Sequence, residues 1–170
     1  MKENLSPSDG IKFLPHFPTV LIGSGTGNNS NLITAAMVHV FSISPPMIGT
    51  GIAPERHSFE LLEEHEEFTV NVPEKDMLEE VKDCGSVSGE EHDKFEEFDL
   101  TREQSKEILV PGVKECGLIL ECELEKQVKT GDHNWFVGNV VNAKKKQNYQ
   151  RKEGILYWGG EFRIPGELLD

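Results

Sequence analysis

Apolar residues fall at alternate positions through much of this chain, and at helical spacing in only two short stretches. Leu118, Leu120, Cys122, Leu124 and Val128 take one side of an extended segment, while Glu121, Glu123, Glu125 and Gln127 take the other. That is the period of a half-buried strand. After a turn at Gly131-Asp132, residues 135–143 are apolar on both faces. This predicts a long strand covered on one side by the core and on the other by a helix or a partner subunit. Nearer the start, residues 19–23 form a β-branched run that stops in the turn-rich stretch 23–29. Residues 31–36 and 38–41 read as further extended chain, ended by Pro45-Pro46. Residues 47–52 read as a buried strand bent at Gly49 and Gly51. Residues 68–72 alternate again, and 155–158 open a closing hairpin.

The helical stretches are short. Phe59 to Glu64 follows Ser58, a residue type that caps helix starts. Met77, Leu78 and Val81 suit one face of a second helix, which Cys84-Gly85 is expected to stop. Residues 86–111 are polar and acidic and read as loop with at most a helical turn; residues 144–152 read as a basic loop. Many short strands with Gly and Pro punctuation predict a mostly β fold, a barrel or sandwich with short helices, and not a doubly wound sheet. Internal repeats are absent. The 170 residues fit one domain, here 12–170 after a polar N-terminal tail at 1–11.

Charge narrows the partners. Lys and Arg total 17 against 30 Asp and Glu, a net charge of −13, which argues against a nucleic-acid binder and against docking on an anionic membrane. No apolar run approaches the roughly 20 residues of a membrane helix, and residues 1–11 lack the apolar core of a signal peptide. Cys84, Cys116 and Cys122 are odd in number and without paired spacing, so no disulfide framework is expected, and a reducing, cytoplasmic setting is.

The glycines of Gly23-Ser24-Gly25-Thr26-Gly27 do not make a dinucleotide fingerprint, because Asn28 stands where the third glycine belongs and hairpin, not helix, follows. The six histidines show no metal-ligand spacing, and Glu90-Glu91-His92-Asp93 reads as a solvated acidic loop. More informative are Asn31, Thr34, Ser42 and Ser44 before Pro45-Pro46, with Arg56, His57 and Ser58 at a helix start. Hydroxyls, a cation and helix N–H groups together can hold a phosphate. A cation just before a helix start is unfavourable for the helix dipole, so Arg56 needs another reason to be there. An anionic ligand is one such reason, and an ion pair with Glu55 or Glu60 is the other.

At these residues the chain resembles the flavin reductase-like family of FMN-binding split barrels, over about residues 12 to 166, and within it the flavoredoxin branch. The resemblance is carried by Phe17-Pro18-Thr19-Val20-Leu21-Ile22, Asn31-Leu32-Ile33-Thr34-Ala35-Ala36, Ser42-Ile43-Ser44-Pro45-Pro46, Arg56-His57-Ser58 and Phe68-Thr69-Val70-Asn71-Val72. Cys84-Gly85-Ser86-Val87-Ser88-Gly89 with Asp93-Lys94-Phe95 points to the flavoredoxin branch, and Gly131-Asp132-His133 with Leu156-Tyr157 completes the set.

The resemblance implies a Greek-key split barrel that pairs as a homodimer with one FMN per subunit. It assigns Asn31, Thr34, Ala35, Ala36 and Ser42 to the flavin, and Arg56, His57 and Ser58 to the phosphate end. His133 is the candidate catalytic residue that meets NADH or NADPH. Two functions are therefore expected as alternatives: an electron carrier served by redox protein partners, or an NAD(P)H-dependent flavin or ferric reductase. A cofactor-free β-barrel scaffold is a third. Backbone N–H groups at small residues such as Ala35 and Ala36 would approach the ring edge and stabilise negative charge on reduction.

Overall fold

A computed structural model describes residues 2–167 and 169. Seven strands form one antiparallel sheet: β2 (Val20–Ser24), β3 (Asn31–Ala35), β4 (Val38–Ile43), β5 (Pro46–Ile52), β6 (Glu67–Val72), β9 (Leu118–Thr130) and β10 (His133–Lys145). Their order is β3-β2-β6-β9-β10-β5-β4. β3 and β4 are thus opposite edges of the sheet, yet only Ala36 and Met37 separate them in sequence. The sheet must curl until its edges meet, which makes it a barrel with a seam. Beside the seam the β4–β5 ladder runs on by one pair, the Gly51 N–H donating to the Met37 carbonyl at 2.7 Å. Smaller pieces close the ends: β1 (Phe17–Pro18), β11 (Leu156–Trp158) and β12 (Glu161–Arg163) form a three-stranded sheet, and β7 (Arg102–Glu103) pairs with β8 (Gly112–Val113).

Alternation in β2 divides the core. Val20 and Ile22 pack inside the barrel with Phe68, Phe136 and with Phe59 and Leu62 of α2 (His57–His65). Leu21 faces the other way, into a second cluster with Leu32, Val81 and Cys84 of α3 (Leu78–Ser86), and Phe95 of α4 (Lys94–Glu97). β10 shows why its sequence is apolar on both faces. Phe136 meets Phe59 edge-on at 5.1 Å, and Trp135 packs on Phe41 at 5.5 Å.

Several local expectations are corrected. The tail contains α1 (Pro7–Lys12), started by Ser6, whose hydroxyl accepts from the Asp9 N–H at 3.1 Å. Arg56, not Ser58, is the N-cap of α2. Ser58 lies inside the helix, buried, because the Asn31 amide donates to its hydroxyl at 2.8 Å. α3 runs through Cys84-Gly85 to Ser86; a side chain at 85 would crowd Thr34, so this glycine allows helix and β3 to approach. Lys144 and Lys145 belong to β10 and not to a loop.

The 86–111 segment is organised by two carboxylates. Asp93 caps α4 and takes two bonds from Arg102, each 2.8 Å. Glu121, fully buried in β9, accepts from the N–H groups of Lys106 and Glu107 and from the Asn142 amide, at 2.8–3.1 Å. Burial by itself raises the Glu121 carboxyl, but those hydrogen bonds and nearby Lys144 outweigh it and hold it below the ordinary glutamate value. A depressed folded pKa gives stability that is present above the unfolded pKa and lost as pH falls through the folded one. Glu121→Gln should cost about 1–3 kcal/mol of unfolding free energy at pH 7, the range for an unpaired buried polar group. It should also flatten the acid side of the stability curve, measured by chemical denaturation at pH 7 and at pH 4.

Candidate functional site

Two recesses of about 270 and 280 Å³ lie end to end along the seam and share Ile33, Glu55, Arg56 and Gly85. They form one groove. The polar end is lined by Asn31, Arg56, His57, Ser58, Ser86, Ser88 and Lys94. The other end is lined by Thr34, Ala35, Ala36, Met37, Gly51, His133, Tyr157 and Trp158.

The polar end gathers two cations and several hydroxyls. Arg56 is exposed at its wall and, among the described residues, has no carboxylate within ion-pair distance. The surface-ion-pair explanation for Arg56 is therefore set aside, although Glu55 also borders the groove. No side chain caps α2, so its first N–H groups are left for an external acceptor.

Lys94 adds a second cation. It is 3% exposed and donates to the carbonyls of Leu32 and Cys84, both at 2.8 Å, with no carboxylate partner among the described residues. Burial lowers its ammonium below the ordinary lysine value, and the Arg56 charge pushes the same way. Asp93, its neighbour in sequence, is committed to α4 and Arg102 and does not neutralise it.

Asn31 and Ser58 are joined within the polar end. Its amide donates to Ser58, while its Oδ1 is buried and without a partner. The His57 Nδ1 is likewise buried and unpartnered. Gly89 lies so close to Asn31 that any side chain there would displace the amide. Thr34 donates its hydroxyl to the Val81 carbonyl and is thereby committed to anchoring α3 on β3.

At the other end Met37 lies over Gly51, where an added Cβ would come within 3.2 Å of it. His133 borders this end, and its Nδ1 is 2.8 Å from the Asp132 carboxylate. The carboxylate can only accept, so Nδ1 carries the proton and Nε2 is left for another partner. That bond and the adjoining charge lower the Asp132 carboxyl.

Of the residues expected from sequence, Asn31, Thr34, Ala35, Ala36, Arg56, His57, Ser58 and His133 all border the groove. Ser42, half-buried in β4 opposite Met47, borders neither end. Lys94, Ser86 and Ser88 had no assigned role. The run of glycines and hydroxyls at 85–89, followed by a lysine, was the available signal.

Neither Lys144 nor Lys146 borders this groove. Lys144 pairs with Glu103 at 2.9 Å and Lys146 with Glu74 at 3.2 Å. Lys145 ends β10 and His133 begins it.

The barrel is split at its β3–β4 junction, and the groove along that seam joins a cationic, hydroxyl-rich end to an end walled by small and aromatic residues. Residues 15–166 match the family described as flavin reductase like domain, and the chain belongs to that family. It is 39% identical over 133 residues to an uncharacterized protein of Archaeoglobus fulgidus, covering 78% of this chain and 75% of that one. It is 26% identical over 167 residues to the NADH-dependent FAD reductase of Streptomyces globisporus, covering 95% and 88%. In structure it is similar to flavoredoxin from Methanosarcina acetivorans, with a TM-score of 0.89 at 25% identity, covering 100% of this chain and 94% of that one.

Burial disfavours the thiolate form of all three cysteines. Cys84 borders the polar end but is fully buried, and burial pushes its thiol up to about 12. Cys116 and Cys122 are raised by burial too. At pH 8 a disulfide reagent should find no reactive thiol in the native protein and three after denaturation. A thiol that reacts within seconds in the native state would contradict this.

Proposed function

We propose that the chain is an FMN-binding electron-transfer flavoprotein, a homodimer with one FMN per subunit, whose flavin lies in the seam groove. The observation that carries this reading is the pair of cations, Arg56 and Lys94, with no carboxylate partner beside an uncapped helix start and several hydroxyls. Such a set suits a phosphate dianion. The unpartnered Asn31 Oδ1 asks for a donor, which phosphate cannot supply and a ribityl hydroxyl can. Together they favour a phosphorylated polyol, the tail of FMN.

In this reading FMN supplies reversible uptake of two electrons. Arg56, Lys94, Ser58 and the N–H groups of His57 and Ser58 hold its phosphate. Asn31, Thr34, Ala35 and Ala36 border the remainder of the molecule, and backbone N–H groups at the two alanines stabilise negative charge on the reduced ring. Met37, Tyr157 and Trp158 exclude water from its edge. Ser42 is retained only as a residue that a second subunit would bring nearer.

The carrier takes electrons from one protein partner and gives them to another. The reductase reading, with NADH or NADPH as donor and flavin or ferric iron as acceptor, is favoured by one feature, the oriented His133. Its Nε2 faces no protein partner among the described residues, so it can position a nicotinamide amide. The free thiols support a cytoplasmic setting, and no described helix is long and apolar enough to cross a membrane.

Arg56→Ala and Lys94→Met should each weaken FMN binding by about 1.5–3 kcal/mol, the range for hydrogen bonds to charged groups, read from quenching of FMN fluorescence. Because the Lys94 ammonium is lowered, wild-type affinity should fall at alkaline pH before an ordinary lysine would titrate. In Lys94→Met that fall should disappear. Unchanged affinity in both variants would remove the phosphate from this end of the groove. His133→Ala should leave FMN bound and slow anaerobic bleaching by NADH or NADPH if the protein is a reductase; equal rates favour the carrier.

A further inference from the structure

Arg102 in β7 borders neither end of the groove, yet it grips the neighbours of two residues that do. One terminal guanidinium nitrogen donates to both carboxylate oxygens of Asp93, each at 2.8 Å. The Nε donates to the Ser30 hydroxyl at 2.8 Å, and the guanidinium carbon lies 4.4 Å from the centre of the Phe95 ring. Asp93 and Phe95 flank Lys94, and Ser30 precedes Asn31. A single side chain thus fixes the segments on which Lys94 and Asn31 lie.

The charges give this brace an electrostatic consequence. Around Lys94 the titratable and charged groups are Glu55, Arg56 and His57 at and before the start of α2, Cys84 on α3, and the Asp93–Arg102 pair. β3 adds none. Asp93 is the carboxylate that the chain itself keeps next to the lysine. Burial alone raises its carboxyl, but Arg102 and the N–H groups of Glu96 and Phe95 outweigh it and hold it below the ordinary aspartate value. It is therefore an anion at neutral pH. Its side chain is 34% exposed, so water screens the charge only in part. Arg102 cancels that charge. Without the guanidinium, Asp93 would stabilise the ammonium of Lys94 and oppose any anion bound beside it.

We propose that Arg102 is a positioning residue for the phosphate end of the groove: by neutralising Asp93 it leaves the charge of Lys94 free for a phosphate dianion. It touches no ligand and acts through Asp93 and Lys94. The inference rests on the reading that the groove holds FMN.

Riboflavin, which has the ring and polyol of FMN but no phosphate, separates charge from scaffolding. Arg102→Gln should weaken FMN binding about tenfold, read from flavin fluorescence, and leave riboflavin affinity unchanged. Arg102→Lys keeps a charge opposite Asp93 and should retain most of the FMN affinity. Asp93→Asn still caps α4 and leaves Arg102 unopposed, so it should bind FMN at least as tightly as the wild type. The double variant, Asp93→Asn with Arg102→Gln, removes both charges and should recover the affinity that Arg102→Gln loses. In the flavin-free protein, the pH at which Lys94 loses its proton, followed by NMR of isotope-labelled lysine, should rise in Arg102→Gln and return in the double variant.

Equal losses of FMN and riboflavin in Arg102→Gln, or weaker FMN binding in Asp93→Asn, would mean scaffolding alone and overturn the role. So would a double variant as weak as Arg102→Gln. A wild type that binds FMN no more tightly than riboflavin, measured first, sinks the phosphate reading of the groove and this inference with it. A wild type that prefers FMN, beside an Arg102→Gln protein with the same preference, sinks this inference alone.

Discussion

The rest of the structure depends on one covalent constraint: the two edges of a seven-stranded sheet are joined by Ala36 and Met37 alone. Two residues cannot cross an open sheet, so the sheet has to curl, and β3 and β4 have to end side by side. Edge strands leave a row of backbone groups without ladder partners, which proteins normally cover or charge. Here the cover is made of α3, α4 and the closing hairpin. Thr34 bonds to Val81, and Lys94 reaches back to the Leu32 carbonyl on β3. The groove is what this cover leaves open along the seam.

The same arrangement explains how an acidic chain keeps positive charge where a ligand can use it. Asp93 and Lys94 are consecutive, and in a disordered loop they would neutralise each other. Because Asp93 starts α4 and grips Arg102, the lysine turns inward without an anion. Two carbonyls solvate it only in part, and burying an unpaired cation is costly. An incoming phosphate would relieve that cost, and the lowered lysine pKa is the same imbalance seen as proton affinity. Arg56 makes the complementary choice, staying exposed and unpaired at the groove wall.

What was legible in the sequence follows from what is local. Period-two alternation in 118–128 and the Gly131-Asp132 turn predicted the long β9–β10 hairpin, and the glycine-rich 23–29 turn is a hairpin tip with Gly25 and Gly27 at positive φ. Eight of the nine expected site residues border the groove, because they lie in short contiguous motifs at strand and helix starts. The misses depend on tertiary partners. Ser58 looks like a cap until Asn31, far away in sequence, is seen to bond it. The 86–111 segment looks like loop because its order comes from Glu121, a carboxylate that appeared to sit on the solvent side of an alternating strand. A fully buried glutamate at an outward position cannot be read from period two, since the loop that buries it is not a regular element.

Distance bears on which kind of partner the protein can serve. The lysines at the end of β10 are the one basic run in the chain, and an acidic redox protein would be steered there by charge. Yet they lie at the far end of the strand that His133 begins, and two of the three are already paired with Glu103 and Glu74. On the side of Tyr157 and Trp158 a recess that adjoins the groove is walled by apolar and aromatic side chains. A surface of that kind selects by shape and hydrophobic contact more than by long-range steering.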